Sequence, residues 1–251
     1  MALKPKIIAH RGASKDAPEN TLSAFELAWE KSADGIEADF RLSADGQIVC
    51  MHDENCSRMT RNAINLDVGT STLKELREID VGSWRGAEFE GEKVPTFREV
   101  LEVLRPGKKL YGEIKCGPEI LGPMRRILTE FSSVAREQLV IISFRKDVIL
   151  QTREILPELC TQLLVSFKKG DPQTLENVLK SLNLANADGV DLQAKPEIVD
   201  EEFVAGLRKA GYEFHTWTIN EEKVARRFQE LGVDSITTDC PALMRRAITR
   251  A

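Results

Sequence analysis

Short apolar runs recur along the chain at fairly even spacing, and most intervals between them carry a helical period. The runs fall at 6–12 (KIIAHRG), 35–43 (GIEADFRLS), 47–53 (QIVCMHD), 109–115 (KLYGEIK), 138–144 (QLVIISF), 160–167 (CTQLLVSF), 187–193 (ADGVDLQ), 213–219 (EFHTWTI) and 235–239 (SITTD). Their length and their content of Val, Ile, Thr and Phe predict strands. The intervals 19–32, 96–104, 118–131, 146–156, 172–185, 199–211, 221–232 and 241–249 repeat apolar residues three and four apart, which predicts helices. In the first of these, Leu22, Phe25 and Trp29 share one face, and Asn20 or Thr21 supplies the N-cap. The ADG turn at 44–46 sends the second strand into a hairpin or bend with the third run.

With one strand counted per helix, the chain holds eight βα units in 251 residues. That alternation predicts a parallel sheet, and its size is that of a (β/α)8 TIM barrel. A doubly wound open sheet is the competitor, but HRGASKDAPEN after the first run lacks the G-x-G-x-x-G turn. Residues 54–95 break the alternation: they are polar, with glycines at 69, 82, 86 and 91 and one short helical piece at 72–79. They read as a small insertion after the second strand. No linker or internal repeat divides the chain, so 1–251 reads as a single barrel domain.

A barrel puts its chemistry at the C-terminal ends of its strands. In GIEADFRLS the apolar residues Ile36, Ala38, Phe40 and Leu42 share the face that meets the helices. Glu37, Asp39 and Arg41 then point inward. Residues two apart on a strand lie about 6.6 Å apart, so the two carboxylates can converge on one cation and repel each other without it. KLYGEIK repeats the pattern, with Tyr111, Glu113 and Lys115 inward. Glu37, Asp39 and Glu113 are therefore the candidate metal ligands. An all-oxygen set suits a hard cation, Mg²⁺ or Ca²⁺. The bland reading of any one of these acids is an ion pair with a nearby Lys or Arg.

Only three histidines are present. His10 and His52 end two of the runs and are the candidate acid/base pair. His215 lies within its strand and reads as structural. Arg11 and Lys115 are candidate phosphate grips. Gly12, with no Cβ, would let the chain turn without crowding a substrate. Trp217 is a candidate apolar wall for the alcohol part of a substrate. A cation site, two histidines and two fixed positive charges together suit hydrolysis of a phosphate ester.

Charge and cysteine content narrow the setting. The net charge is −5 with basic residues spread along the chain, which is not the footprint of a nucleic-acid binder. Five cysteines (Cys50, Cys56, Cys116, Cys160 and Cys240) form no C-x-x-C, so a reducing compartment is expected. The start MALKPKIIAH is too short and polar for a signal peptide, and no run suits a membrane span. The expectation is a cytoplasmic protein, monomer or homodimer, without stable membrane association.

The stretches HRGASKDAPENTLSAF, GIEADFRLSADGQIVCMHD, VGSW, VPTFREVL, GEIK, HTWTIN and TDCP resemble the glycerophosphodiester phosphodiesterase family, in its order, from residue 6 to about 241. The resemblance implies a barrel with a small insertion and metal-dependent hydrolysis of small glycerophosphodiesters to glycerol 3-phosphate and an alcohol. By motif, His10 and His52 would be the acid/base pair and Glu37, Asp39 and Glu113 the metal ligands. Arg11 and Lys115 would hold phosphate, and Trp217 would line the pocket. The family's scheme has the neighbouring glycerol hydroxyl attack phosphorus, giving a cyclic phosphate that water opens. It leaves open which histidine is acid and which is base. Lys15-Asp16 depart from a glycine common in this family's loop, which bears on access for the leaving group. Three alternatives stand beside this reading. One is a lysophospholipase D-type activity, approached over Trp84 and Phe89. Another is a barrel that binds an anion without turnover, and the last is a cysteine nucleophile at Cys116 or Cys50.

Overall fold

The computed structural model describes residues 4–131, 134–167 and 174–249. Its strands are β1 (Lys6–Ala9), β2 (Gly35–Leu42), β3 (Ile48–Cys50), β4 (Lys109–Ile114), β5 (Leu139–Ser143), β6 (Cys160–Val165), β7 (Gly189–Gln193), β8 (Glu213–Trp217) and β9 (Ser235–Thr238). Along the sheet they run β1-β9-β8-β7-β6-β5-β4-β2-β3, and β1 also pairs with β2. That last pairing closes eight parallel strands into a barrel. β3 is the exception: it folds back antiparallel on the far end of β2, with Cys50 opposite Phe40. The hairpin expected at 44–46 is this turn.

Helices α1 (Leu22–Glu30), α4 (Leu121–Glu130), α5 (Lys146–Ile155), α6 (Leu175–Ala185), α7 (Glu201–Lys209), α8 (Glu222–Glu230) and α9 (Pro241–Thr249) alternate with the strands, and the short α2 (Leu73–Glu78) and α3 (Phe97–Glu102) precede β4. The predicted helix at 172–185 begins at 172–173, which lie outside the described residues. Thr21, not Asn20, caps α1, its Oγ1 accepting from Ala24 N–H at 3.2 Å. Thr72 and Thr96 open α2 and α3 with reciprocal capping boxes to Glu75 and Glu99.

Strand alternation fixes which side chains face the axis. Ile36, Ala38, Phe40, Leu110 and Ile114 pack outward with the helices, among them Phe25, Trp29 and Met124. Ile8, Tyr111, Val140, Ile142 and Leu164 fill the interior. His215 also lies inside, 3% exposed, with its Nδ1 2.8 Å from Ser235 Oγ and its Nε2 2.7 Å from Gln162 Nε2. It is a buried, hydrogen-bonded histidine, as expected. The segment after β3 makes its own apolar cluster, in which Met51, Cys56, Val68, Leu76, Ile79 and Val94 pack together. Among the described residues no helix is long and apolar enough to cross a membrane.

Candidate active site

The acids converge because of strand register. Glu37 pairs with Tyr111 across β2 and β4, and Asp39 with Glu113. One oxygen from each of Glu37, Asp39 and Glu113 lies within 4.8 Å of the others. Glu37 and Asp39 are buried, at 3% and 0% exposure. Burial, then the charges of Asp39 and Glu113, push the Glu37 pKa well above the carboxylate range. Burial and Asp39 push Glu113 up to about 6. Burial also works against ionised Asp39, but Arg11 and Lys115 outweigh it and hold its pKa below the usual value. Glu37 Oε1 and Asp39 Oδ1 accept no hydrogen bond although buried. Three carboxylates crowded in this way, two with an unsatisfied oxygen, fit a hard divalent cation.

Arg11 and Lys115 flank the acids. Arg11 has a φ of 55°, a left-handed turn that aims its N–H at Glu37 Oε2, 2.9 Å away. Its side chain reaches Glu19 Oε1 at 2.8 Å and Asp39 Oδ2 at 3.1 Å. Lys115 Nζ lies 2.8 Å from Glu113 Oε1 and 3.7 Å from Asp39 Oδ1. Gly12 does not face a substrate. A Cβ on it would meet Ala24 of α1 at 2.6 Å, and its φ is +82°. Its role is to let the loop pack against the helix.

Each of the two site histidines is held by a carboxylate. His10 Nδ1 is 2.7 Å from Asp239 Oδ1, and His52 Nδ1 is 2.6 Å from Asp53 Oδ1. Among the described residues no hydrogen bond engages either Nε2. The β3 hairpin carries His52 to the barrel mouth, where Arg41 donates to its carbonyl from Nε at 3.0 Å and Nη2 at 2.8 Å. Burial lowers the His52 pKa, and the Arg11 and Lys115 charges add to that against the pull of Asp39 and Asp53.

Sequence reasoning named neither Asp239 nor Asp53 as a site residue. It also missed Asn20, which is buried and donates from Nδ2 to Asp39 Oδ2 at 2.8 Å. Glu19 takes both Arg11 and Arg58. Asp191 is 2% exposed inside the barrel, and burial raises its pKa well above normal. The PENT and TDCP stretches held the signal for Glu19, Asn20 and Asp239. Burial raises the pKa of both candidate thiols, Cys50 and Cys116, which disfavours the thiolate form a nucleophile needs.

Two cavities meet here. The inner one, about 70 Å³, is lined by His10, Arg11, Glu37, His52, Glu113 and Lys115, and also by Asp191 and Trp217. Trp217 donates from Nε1 to the Asp191 carbonyl at 3.0 Å and meets Phe144 edge-on, with 5.5 Å between ring centroids. Seven of the eight residues expected at the site border the inner cavity, and the eighth, Asp39, is fully buried. The outer cleft, about 470 Å³, shares only His10 and Arg11 with the inner one.

Residues 10–243 match the model of the glycerophosphoryl diester phosphodiesterase family. A glycerophosphodiester phosphodiesterase of Caldanaerobacter subterraneus is 33% identical over 244 residues, covering 95% of this chain and 96% of its own length. YhdW of Bacillus subtilis is 35% identical over 238 residues, covering 94% of each chain. A phosphodiesterase of Oleispira antarctica, solved with its product sn-glycerol-3-phosphate, superposes with a TM-score of 0.85 at 29% identity over 98% of this chain and 97% of its own. The chain belongs to the glycerophosphoryl diester phosphodiesterase family.

Proposed function

We propose that the chain is a glycerophosphodiester phosphodiesterase that yields glycerol 3-phosphate and an alcohol by two-histidine catalysis. On this reading residues 1–251 form one barrel domain, with 54–95 its insertion. It acts on a small soluble substrate and works in the cytoplasm. The observation that carries the mechanism is geometric. His10 and His52 are each tied through Nδ1 to a carboxylate and border one pocket floored by three crowded acids. Glu37, Asp39 and Glu113 would hold one divalent cation, Mg²⁺ or Ca²⁺, which would supply positive charge for the phosphoryl oxygens.

The chain's own groups account for the proton transfers. Arg11 and Lys115 border the pocket as fixed cations and grip the phosphate. Trp217 borders only the inner cavity, so on this reading it walls the glycerol part of the substrate and not the alcohol that leaves through the outer cleft. His52 borders only the inner cavity, and its lowered pKa favours the neutral form, so it takes the proton of the neighbouring glycerol hydroxyl. That oxygen adds to phosphorus as the bond to the leaving alcohol breaks. His10 borders both cavities, so its Nε2 can reach an alcohol leaving through the outer cleft and protonate it. The cyclic phosphate is then opened in reverse. His10 takes a proton from water, the water oxygen adds to phosphorus, the bond to the glycerol hydroxyl oxygen breaks, and His52 returns its proton. Asp239 and Asp53 hold the two rings in the required tautomer.

The test is turnover of glycerophosphocholine with Mg²⁺ or Ca²⁺, with and without chelator, and identification of both products. Glycerol 3-phosphate and choline are expected, with loss of activity on chelation and in His10→Ala and His52→Ala. Phosphocholine and glycerol would mean that the other P–O bond breaks. Full activity with chelator, or in either histidine variant, would overturn the mechanism.

A further inference from the structure

The outer cleft has the size of a small-molecule site, and its charge is not balanced. Its wall is built by separate segments: Lys15 from the loop before α1, Trp84 and Arg85 from the segment after β3, and Asn220 and Asp239 from loops after β8 and β9. Two acids face it, and both are engaged. Glu19 is held by Arg11 and by two Arg58 nitrogens, each 2.9 Å away. Asp239 accepts from Ser14 Oγ at 3.0 Å and Asn220 Nδ2 at 2.6 Å besides its contact with His10. Lys15 and Arg85, by contrast, form no ion pair with a carboxylate among the described residues.

Both cations are set on fixed backbone. Lys15 N–H donates to the Asp239 carbonyl at 3.2 Å, which ties this loop to the one carrying the partner of His10. In the segment that carries Trp84 and Arg85, Asp80 accepts from Gly82 N–H at 2.8 Å, Ser83 N–H at 2.9 Å and Gly91 N–H at 2.8 Å. Trp84 Nε1 donates to the Val81 carbonyl at 2.8 Å, and Arg61 Nη2 donates to the Trp84 carbonyl at 2.8 Å. A cleft with pinned walls, an aromatic ring and two uncompensated cations is complementary to a polar group that bears negative charge.

We propose that the outer cleft is the site for the leaving alcohol and that it selects glycerophosphodiesters whose alcohol carries a further anionic group, through Lys15 and Arg85. This rests on the reading that the chain cleaves glycerophosphodiesters with His10 protonating the alcohol in this cleft. Trp84 serves as a platform for the carbon skeleton of that alcohol. A quaternary ammonium would meet two cations here instead of a carboxylate.

The experiment compares kcat/KM for three substrates: glycerophosphoinositol 4-phosphate (anionic alcohol), glycerophosphoinositol (neutral) and glycerophosphocholine (cationic). The wild type should prefer the anionic over the cationic substrate by about tenfold or more, since a charge pair at a wet rim is worth little more. In Lys15→Glu and Arg85→Glu, measured separately, that ratio should fall by roughly tenfold. Both residues are exposed, so folding is not at stake. Two results overturn the proposal while leaving the activity standing: a wild-type ratio at or below one, or a ratio that neither substitution moves. Hydrolysis of none of the three substrates would overturn the underlying reading, and this one with it.

Discussion

Asp239→Asn removes one charge and almost no volume, so its effects can be assigned. The carboxylate is acceptor-only. Oδ1 serves His10 Nδ1 at 2.7 Å and Ser14 Oγ at 3.0 Å, and Oδ2 serves Asn220 Nδ2 at 2.6 Å. An amide replaces one acceptor by a donor, so at least one of these contacts turns donor against donor. Burial alone would raise the Asp239 pKa, but the His10, Asn220 and Ser14 bonds outweigh it and hold it near 2 against an ordinary 3.8. That gap corresponds to roughly 2 kcal/mol. The side chain is 32% exposed, so solvent screening reduces the usable part to about 1–2 kcal/mol. The folded pKa is depressed, so this stability is present above pH 3.8 and is lost as the pH falls towards 2. Asp239→Asn should therefore lower the Tm by roughly 2–8 °C at neutral pH. The gap to wild type should narrow as the pH falls from about 4 towards 2. On the proposed mechanism the variant also loses a charge-assisted bond to a ring that turns cationic during turnover, worth about 1.5–3 kcal/mol. The expected loss in kcat/KM is roughly 10- to 100-fold, carried by kcat. Thermal melts across pH, with glycerol 3-phosphate release coupled to a dehydrogenase, give both numbers. A variant within threefold of wild type, with an unchanged melt at pH 7, would refute the role of Asp239.

Four further outcomes follow from the same geometry. A divalent cation should raise the Tm of wild type and chelator should reverse it, while Glu113→Gln should abolish the response. With its pKa raised to about 6, ionised Glu113 costs the metal-free fold stability that is intact below pH 4.5 and lost as the pH rises through 6. Metal-free Glu113→Gln should thus melt above metal-free wild type at pH 8 and level with it near pH 4; the reverse order would refute the crowding of the acids. Gly12→Ala combines a φ of +82° with a 2.6 Å approach to Ala24, and should cost roughly 3 kcal/mol or more in urea unfolding. Because burial lowers the His52 pKa, the acidic limb of kcat/KM should lie below pH 6.5, and a limb above 7 would contradict His52 as the base.

What the sequence could reveal depended on whether a feature repeats along the chain. The barrel was legible because strands buried on both faces read as apolar runs, with helical spacing between them. The three acids were legible because an i, i+2 pair stands out against an apolar opposite face, and two strands carried the same pattern. The groups that hold His10 and Asp39 do not repeat. Asp239 lies 229 residues from His10, and Asn20 lies 19 residues from Asp39, so the PENT and TDCP stretches flag these residues without saying which group either one touches. Gly12 was misread for the same reason, since only the fold sets Ala24 against it. The outer cleft is the extreme case. Lys15-Asp16 stood out as a departure from a family pattern, and Trp84 as a route for an apolar approach, yet neither observation carried a charge argument. The barrel closes the loop before α1 against the segment after β3 and sets Lys15 and Arg85 around one cavity beside His10. Trp84 then lies among cations and polar groups, which favours a charged alcohol over a lipid chain. Specificity here is a property of two loops brought together by closure, so it should vary among barrels that share the same acids and histidines.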